Sequence, residues 1–259
     1  KNKNKANPEY VRRIVTQIPK TIDWLTAAHN IPFIVLDNFL YPSHTNHRMH
    51  AVPEITGLGL IERLEGAARA QDITIVTDLQ ITNLVVTAEG DALGAHCLRP
   101  DGSTEKIAAR SIILACNGYG GNPDLVSLYI PEMRDAIYFG HPGNQGEAII
   151  WGQQLGAEIA DLSGYQGHGS VAHPHGILVT WALMMEGGIQ VNQLGRRFSN
   201  EHQGYSEQAV SVLAQPDKIA FNIFDDRLCK LGRDFEDFRT AEEVRAIIRA
   251  DTPEELAKK

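Results

Sequence analysis

Apolar positions along the chain repeat first with a helical period and then with the alternation or short runs of strands. Asn7 can cap and Pro8 can take the first helical position, so the pattern predicts a helix over residues 8–28, broken at Pro19. The run IPFIVL, residues 31–36, predicts a strand. It is followed by an irregular, histidine-bearing polar stretch, YPSHTNHRMHAVPE, which predicts a loop. Residues 57–70 return to the helical period, with Leu60, Leu64 and Ala67 on one face beside Ile61 and Ala68. The period then changes. ITIVT at 73–77 predicts a buried strand, and ITNLVVT, ALGAHCLR and TEKIAAR predict three more. Their connections, AEGD and PDGS, hold glycine where a positive φ costs little. The pattern is a β-meander, closed by a further apolar strand, SIILAC, at 111–116.

Beyond that strand the glycine-rich NGYGG leads to Asn122 and Pro123, which predict a helix start. A second glycine-rich turn, HPGNQG, precedes the helical EAIIWGQQLGAEI. GGIQVNQLGRRFSNE, at 187–201, predicts a hairpin turning at residues 193–195, with Arg196 and Arg197 beside the turn. Those arginines serve either a solvated face or an anion. IAFNIF predicts a strand, and Thr240 with Glu243 and Thr252 with Glu255 predict two capping boxes.

Composition narrows the class. The 259 residues are 43% hydrophobic and 22% charged, enough for one large domain or two ordinary ones. A net charge of −8 argues against nucleic acid or an anionic membrane as the partner. Cys97, Cys116 and Cys229 show no metal-ligand spacing, and with an odd number the simple reading is a reducing, cytoplasmic compartment. No apolar run is long enough to span a bilayer, and the basic KNKNKANPEY has no apolar stretch behind it, unlike a signal peptide. His44, His47 and His50 fall in one segment with Arg48; His168, His173 and His175 fall in another. Neither group has the helical spacing or cysteine partners of a metal site, so no metal is expected. A carboxylate or carbonyl of a small substrate suits Arg48, His50 and His168 better.

Glycine after a buried strand lets backbone approach a ligand closely, and a helix N-terminus behind it favours anionic groups. Neither candidate here is the dinucleotide fingerprint. Gly118 and Gly120 are followed by Pro123 at the third position, and Gly57 and Gly59 by Glu62.

Three motifs together resemble a family. ARSIILACNGYGGN resembles the segment that closes the FAD domain of the fumarate reductase/succinate dehydrogenase flavoproteins. GNQGEAIIWGQQLGAEI resembles that family's G-x-x-G-D-G helix start, and GGIQVNQLGRRFSNE its G-x-I-x-V-N-x-x-G-x-R-F-x-N-E. They occur in family order over about residues 57–226. The resemblance implies an α/β fold: a partial Rossmann-like FAD-binding domain with a β-meander over 1–162, then part of an α+β substrate-capping domain over 163–259. It implies FAD as cofactor, with Ala115, Asn117 and Gly118 along it, Glu147 in place of the G-D-G aspartate, and Gln80 and Ile81 near the adenine. Cys116 replaces the usual threonine or serine. The family's G-x-G-x-x-G segment and its closing glycine-rich helix have no counterpart, so the chain resembles a middle portion of such a protein.

The same resemblance places His168 where a histidine binds a substrate carboxylate. It places Tyr205 where fumarate reductases carry an arginine proton donor, and Trp181 and Met184 where they carry a glutamate and an arginine of a proton relay. These departures argue against fumarate reduction. A tyrosine proton carrier, as in ketosteroid dehydrogenases, remains open, as does a packing role for Tyr205. The expected activity is hydride transfer between flavin N5 and a carbon next to a carboxylate or carbonyl, with the electron partner unspecified. The other reading is a fragment or degenerate flavin-binding module without turnover.

Overall fold

The computed structural model describes residues 6–40 and 44–259. The opening KNKNK and residues 41–43 of the polar loop lie outside the described residues. The chain divides into two compact units, one mainly Ala67–Gly164, the other Glu9–Gly66 with Tyr165–Lys259.

Helix α1 spans Pro8–His29 and runs through Pro19 without the expected break. Proline removes one hydrogen bond, to the carbonyl of Val15. No residue of this helix is buried, so water can satisfy that carbonyl. The expected strand at 31–36 shortens to β1, Ile34–Leu36, which pairs antiparallel with β2, Met49–Ala51. His50 therefore lies on a strand rather than in an open loop. Helix α2 is Gly57–Ala70, as the pattern predicts; Thr56 Oγ1 accepts from Gly59 N, and Arg63 bridges Glu54 at 2.7 Å.

The meander forms as read: β3 (Gln80–Val86), β4 (Ala92–Leu98) and β5 (Thr104–Ala108) make an antiparallel sheet in that order. Gly90 and Gly102 take φ of +95° and +82° in the two turns, where any Cβ would be strained. β4 crosses β5 so closely at Gly94 that a Cβ there would collide with the Ile107 carbonyl. Two expectations fail beside this sheet. Residues 73–77 and 111–116 form no strand, and Ile73, Val76 and Ile113 are exposed. Each run is apolar on both faces, a pattern that needs a neighbouring strand on either side, and the described residues supply none.

Helix α3, Pro123–Tyr129, starts as predicted: Asn122 Oδ1 accepts from the backbone of Asp124 and Leu125. Helix α4, Glu147–Gln154, follows Gly146, which holds φ +87°.

The remaining elements build the second unit. β6 (Val171–Ala172) and β7 (Ile177–Leu178) form a short hairpin, and α5 (Ala182–Met185) follows at once. β8, Ile189–Val191, was expected to pair with residues 196–200. It instead pairs with β9, Phe221–Ile223, and meets the return segment in a single bridge, Val191 to Arg197. Helix α6 (Tyr205–Leu213), α7 (Asp226–Gly232) and α8 (Glu236–Glu243) complete the packing. Their core holds Val179, Trp181, Leu183, Met184, Leu228 and Phe238. The capping box expected at Thr240 is absent, because Thr240 lies inside α8 and donates to the Glu236 carbonyl. At Thr252 the cap forms and opens α9, Pro253–Leu256: Thr252 Oγ1 accepts from Glu255 N, while the Glu255 carboxylate accepts from Asp251 N, one residue before the N-cap, rather than closing the box on Thr252 N.

Candidate functional site

Two groups of residues carry the candidate chemistry, one in each unit. In the first unit, two glycine-rich loops are stapled together. Gly121 N donates to Asn144 O at 2.9 Å, and Asn122 Nδ2 to Gln145 O at 3.0 Å. Gln145 Nε2 returns to Gly121 O at 2.8 Å. A Cβ on Gly121 would stand 2.6 Å from the Pro142 carbonyl, so the loops meet this closely because residue 121 is glycine. Tyr119 braces the pair from beneath, its hydroxyl donating to the Leu162 carbonyl. Burial pushes the Tyr119 phenol above its ordinary pKa.

The stapling gathers several sequence-predicted residues. Asn117 sits on the first loop with φ +62°, a left-handed backbone that asparagine tolerates better than most residues. A Cβ on Gly118 would meet nothing within 4 Å, so that backbone opens onto free space. Ala115 precedes them on the exposed extended segment. Glu147 starts α4 at the end of the second loop, and its Oε2 is buried with no hydrogen-bond partner. Gln80 and Ile81 lie apart in sequence on β3, paired with Leu98 and Cys97.

In the second unit the β6–β7 register explains the site. Val171 faces Leu178 and Ala172 faces Ile177, and Val179 N donates to Ser170 O. Continued outward, that register sets His168 opposite Trp181. Their rings do meet edge to face, with centroids 5.8 Å apart. Tyr205, the first residue of α6, stacks on His168 at 5.7 Å and 27°. Gln166 Nε2 donates to the Tyr205 hydroxyl at 3.0 Å.

A buried amide network fixes this arrangement. Gln190 on β8 donates to Gly169 O and to Asn222 Oδ1, both at 2.7 Å. Gln208 on α6 donates to Gln190 Oε1 at 2.7 Å, and Ser199 Oγ donates to Gln208 Oε1 at 2.8 Å. The segment carrying His168 is thus tied to the helix carrying Tyr205. Gly169 allows their approach: a Cβ there would lie 2.9 Å from the Gln208 side chain and 3.1 Å from its backbone. Glu201, 1% exposed, accepts from Gln190 N at 2.8 Å and from Arg197 at 2.6 Å. Of the two arginines at the turn, Arg197 therefore has an internal partner.

Desolvation dominates the electrostatics of His168. Burial lowers the His168 pKa to about 4, against a small opposing contribution from the Ser170 backbone. The imidazole is neutral near pH 7. His168 Nδ1 and Trp181 Nε1 are both buried without hydrogen-bond partners. Arg48 bonds Thr45 at 3.2 Å, and His50 Nδ1 lies 3.0 Å from Arg48 O, both exposed.

Sequence reasoning singled out His168 and Tyr205 but missed Gln166, Gln190 and Gln208 as their supports. It also missed the pairing of His168 with Trp181, for which the strand–turn–strand signal VAHPHGIL was available.

Comparison with known proteins follows from this geometry. The profile of the family described as FAD binding domain matches residues 2–225. A probable fumarate reductase, Ifc3, of Shewanella frigidimarina (strain NCIMB 400) is 28% identical over 212 residues, 82% of this chain and 35% of that protein. The open conformation of a flavocytochrome c3 fumarate reductase superposes with a TM-score of 0.74 at 26% identity, over 94% of this chain and 42% of that one. A 3-ketosteroid-Δ4-(5α)-dehydrogenase from Rhodococcus jostii RHA1 shares the fold, with a TM-score of 0.61 at 19% identity, over 88% of this chain and 51% of that one. The chain thus spans between about a third and a half of these relatives.

Proposed function

The chain belongs to the FAD binding domain family, and on that footing we propose that it is part of a flavin-dependent oxidoreductase acting on CH–CH groups. In this reading residues 1–162 contribute the later portion of a Rossmann-like FAD domain, and residues 163–259 the first portion of a substrate-capping domain. When bound, FAD supplies the hydride chemistry, at its N5, toward a substrate carbon next to a carboxylate or carbonyl.

The residues present fit that cofactor. Glu147 Oε2 is a buried acceptor without a donor among the described residues, which a hydroxyl or ring N–H of FAD would provide. Gly118 leaves space for backbone to lie against the cofactor, with Ala115 and Asn117 beside it. Gln80 and Ile81 are assigned to the adenine end.

His168 and Tyr205 handle the substrate. His168 holds a substrate oxygen, and the Tyr205 hydroxyl, held by Gln166, exchanges the proton at the neighbouring carbon. Arg48 and His50 are assigned to the outer, anionic part of a substrate. Fumarate reduction is not the proposed reaction, because Tyr205, Trp181 and Met184 stand where fumarate reductases carry arginine, glutamate and arginine. The observation that carries the reading is the stacked His168–Tyr205 pair, locked to the amide network.

The test is the whole gene product, purified and scanned for flavin absorbance. Bound flavin, reduced or reoxidised by members of a panel of carbonyl and carboxylate substrates, is the expected result. A protein that holds no flavin and takes none up overturns it. Flavin that no substrate reduces or reoxidises points to the module without turnover.

A further inference from the structure

Two polar side-chain atoms in the His168 cluster are buried with no hydrogen-bond partner of good geometry among the described residues. Trp181 is 1% exposed, yet its indole Nε1–H has no acceptor. His168 Nδ1, on the ring that meets the Trp181 edge, is likewise buried and unpartnered. Buried donors in native proteins nearly always find a partner, and an exception calls for an explanation, a bound molecule or a catalytic role among them. Tryptophan has a single donor and no acceptor, so its partner must be an oxygen or another lone pair.

We propose that Trp181 reads the substrate: its indole N–H donates to an uncharged carbonyl oxygen beside His168, so the site takes a neutral α,β-unsaturated carbonyl compound, or its saturated product, rather than a dicarboxylate. This rests on the oxidoreductase reading and narrows its substrate class.

Three observations carry it. A carbonyl oxygen has two lone pairs and can accept from Trp181 Nε1–H and from His168 in its Nδ1–H tautomer at once. The neighbours named for this pair among the described residues carry no charge: Tyr205 stacks on His168, and Val179, Leu183 and Met184 belong to the same core as Trp181. A carboxylate brought here would lose its hydration with no cation recorded against the pair among the described residues, which is far more costly than burying a ketone. The nearby arginine at the turn, Arg197, is occupied by Glu201. A neutral His168 agrees with this, because burial and not a neighbouring charge governs its titration.

The experiment uses the flavin-loaded gene product with 2-cyclohexenone and fumarate as probes, following perturbation of the flavin spectrum to obtain Kd. Cyclohexenone is expected to bind more tightly than fumarate, and Trp181→Phe to weaken it about 5-fold, the usual worth of one neutral hydrogen bond. Trp181→Phe should change the fumarate Kd less than the cyclohexenone Kd. Ultraviolet resonance Raman of the unmutated protein supplies a readout independent of any variant: cyclohexenone should shift an indole N–H band, and Trp181→Phe should remove that shift. Equal cyclohexenone affinity in Trp181→Phe, no indole shift on binding, or tighter binding of fumarate overturns the proposal. Absence of flavin would instead overturn the oxidoreductase reading on which it rests.

Discussion

Replacing Glu201 separates two contributions that the structure combines in one side chain. Its Oε1 accepts from the backbone of Gln190, itself 1% exposed, and both of its oxygens receive Arg197. Burial alone would raise the Glu201 pKa, but the bonds from Arg197 and from Gln190 N outweigh it and hold the carboxyl below its ordinary value. In Glu201→Gln the amide oxygen still accepts from Gln190 N, while the charge opposite Arg197 and the acceptor for Arg197 Nη2 are lost. The Arg197 side chain is 53% exposed, so water screens that pair and the loss is about 1 kcal/mol. In Glu201→Ala the Gln190 N–H is also left buried without an acceptor, adding about 1–3 kcal/mol. The expected destabilisation is therefore about 1 kcal/mol for glutamine and about 3 kcal/mol for alanine, measured as urea midpoints at a constant m-value. The pH dependence follows from a carboxyl whose folded pKa lies below its unfolded one. Its contribution is complete above the unfolded value, near 4.5, and disappears as pH falls through the lowered folded value. Glu201→Gln should lack that acid-side loss. Equal destabilisation by glutamine and alanine would refute the argument, since it would mean that the Gln190 bond contributes nothing.

Three further outcomes are expected. Tyr205→Phe keeps the stacked ring and removes the hydroxyl, so substrate-dependent flavin reduction should slow about 10²–10⁴-fold with flavin content unchanged; stopped-flow reduction and the flavin absorbance ratio check both halves. The His168 ring, whose pKa falls to about 4 from 6.5, should make stability full above pH 6.5 and declining between pH 6.5 and 4, where only the unfolded chain takes up the proton. His168→Gln should flatten that part of the stability profile, and an unchanged slope would contradict a buried neutral ring. Gly121→Ala forces the stapled loops apart at the Pro142 carbonyl, so flavin retention after gel filtration should drop while the meander's far-ultraviolet signature persists; full retention would show that the loops do not hold the cofactor.

Much of the architecture was legible where a local signal names its own structure. The turns AEGD and PDGS specified the β3–β4–β5 meander, and the Asn122–Pro123 pair specified the start of α3. Residues 73–77 and 111–116 misled because an apolar run states that a segment wants cover, not that the chain provides it. Thr240 misled because the same Thr-x-x-Glu spacing can cap a helix or lie within one, and here the hydroxyl turns back to Glu236. At the site, His168 and Tyr205 were visible only through motif spacing. Gln190 and Gln208 look like ordinary polar residues of a strand and a helix, and their burial is set by the packing of β8 against β9 and α6. Trp181 was read as the loss of a relay residue, whereas the β6–β7 register makes it the neighbour of His168.

The extended segment before Asn117 bears on solubility. Ile113 is 91% exposed and Leu114 next to it is also exposed, within a six-residue stretch that has no charge, no proline and strong β-forming tendency. Such a stretch can recruit its own copies into stacked cross-β ladders. Arg110 on one side and Asn117 on the other act as gatekeepers, since charge repulsion and a left-handed kink both interrupt continuous pairing. Handling the 259-residue chain at high concentration therefore favours low temperature and low salt, which leaves the repulsion at Arg110 unscreened. A charge placed at position 113, which packs against nothing, should delay the onset of thioflavin-positive aggregates without altering the meander or the His168 cluster.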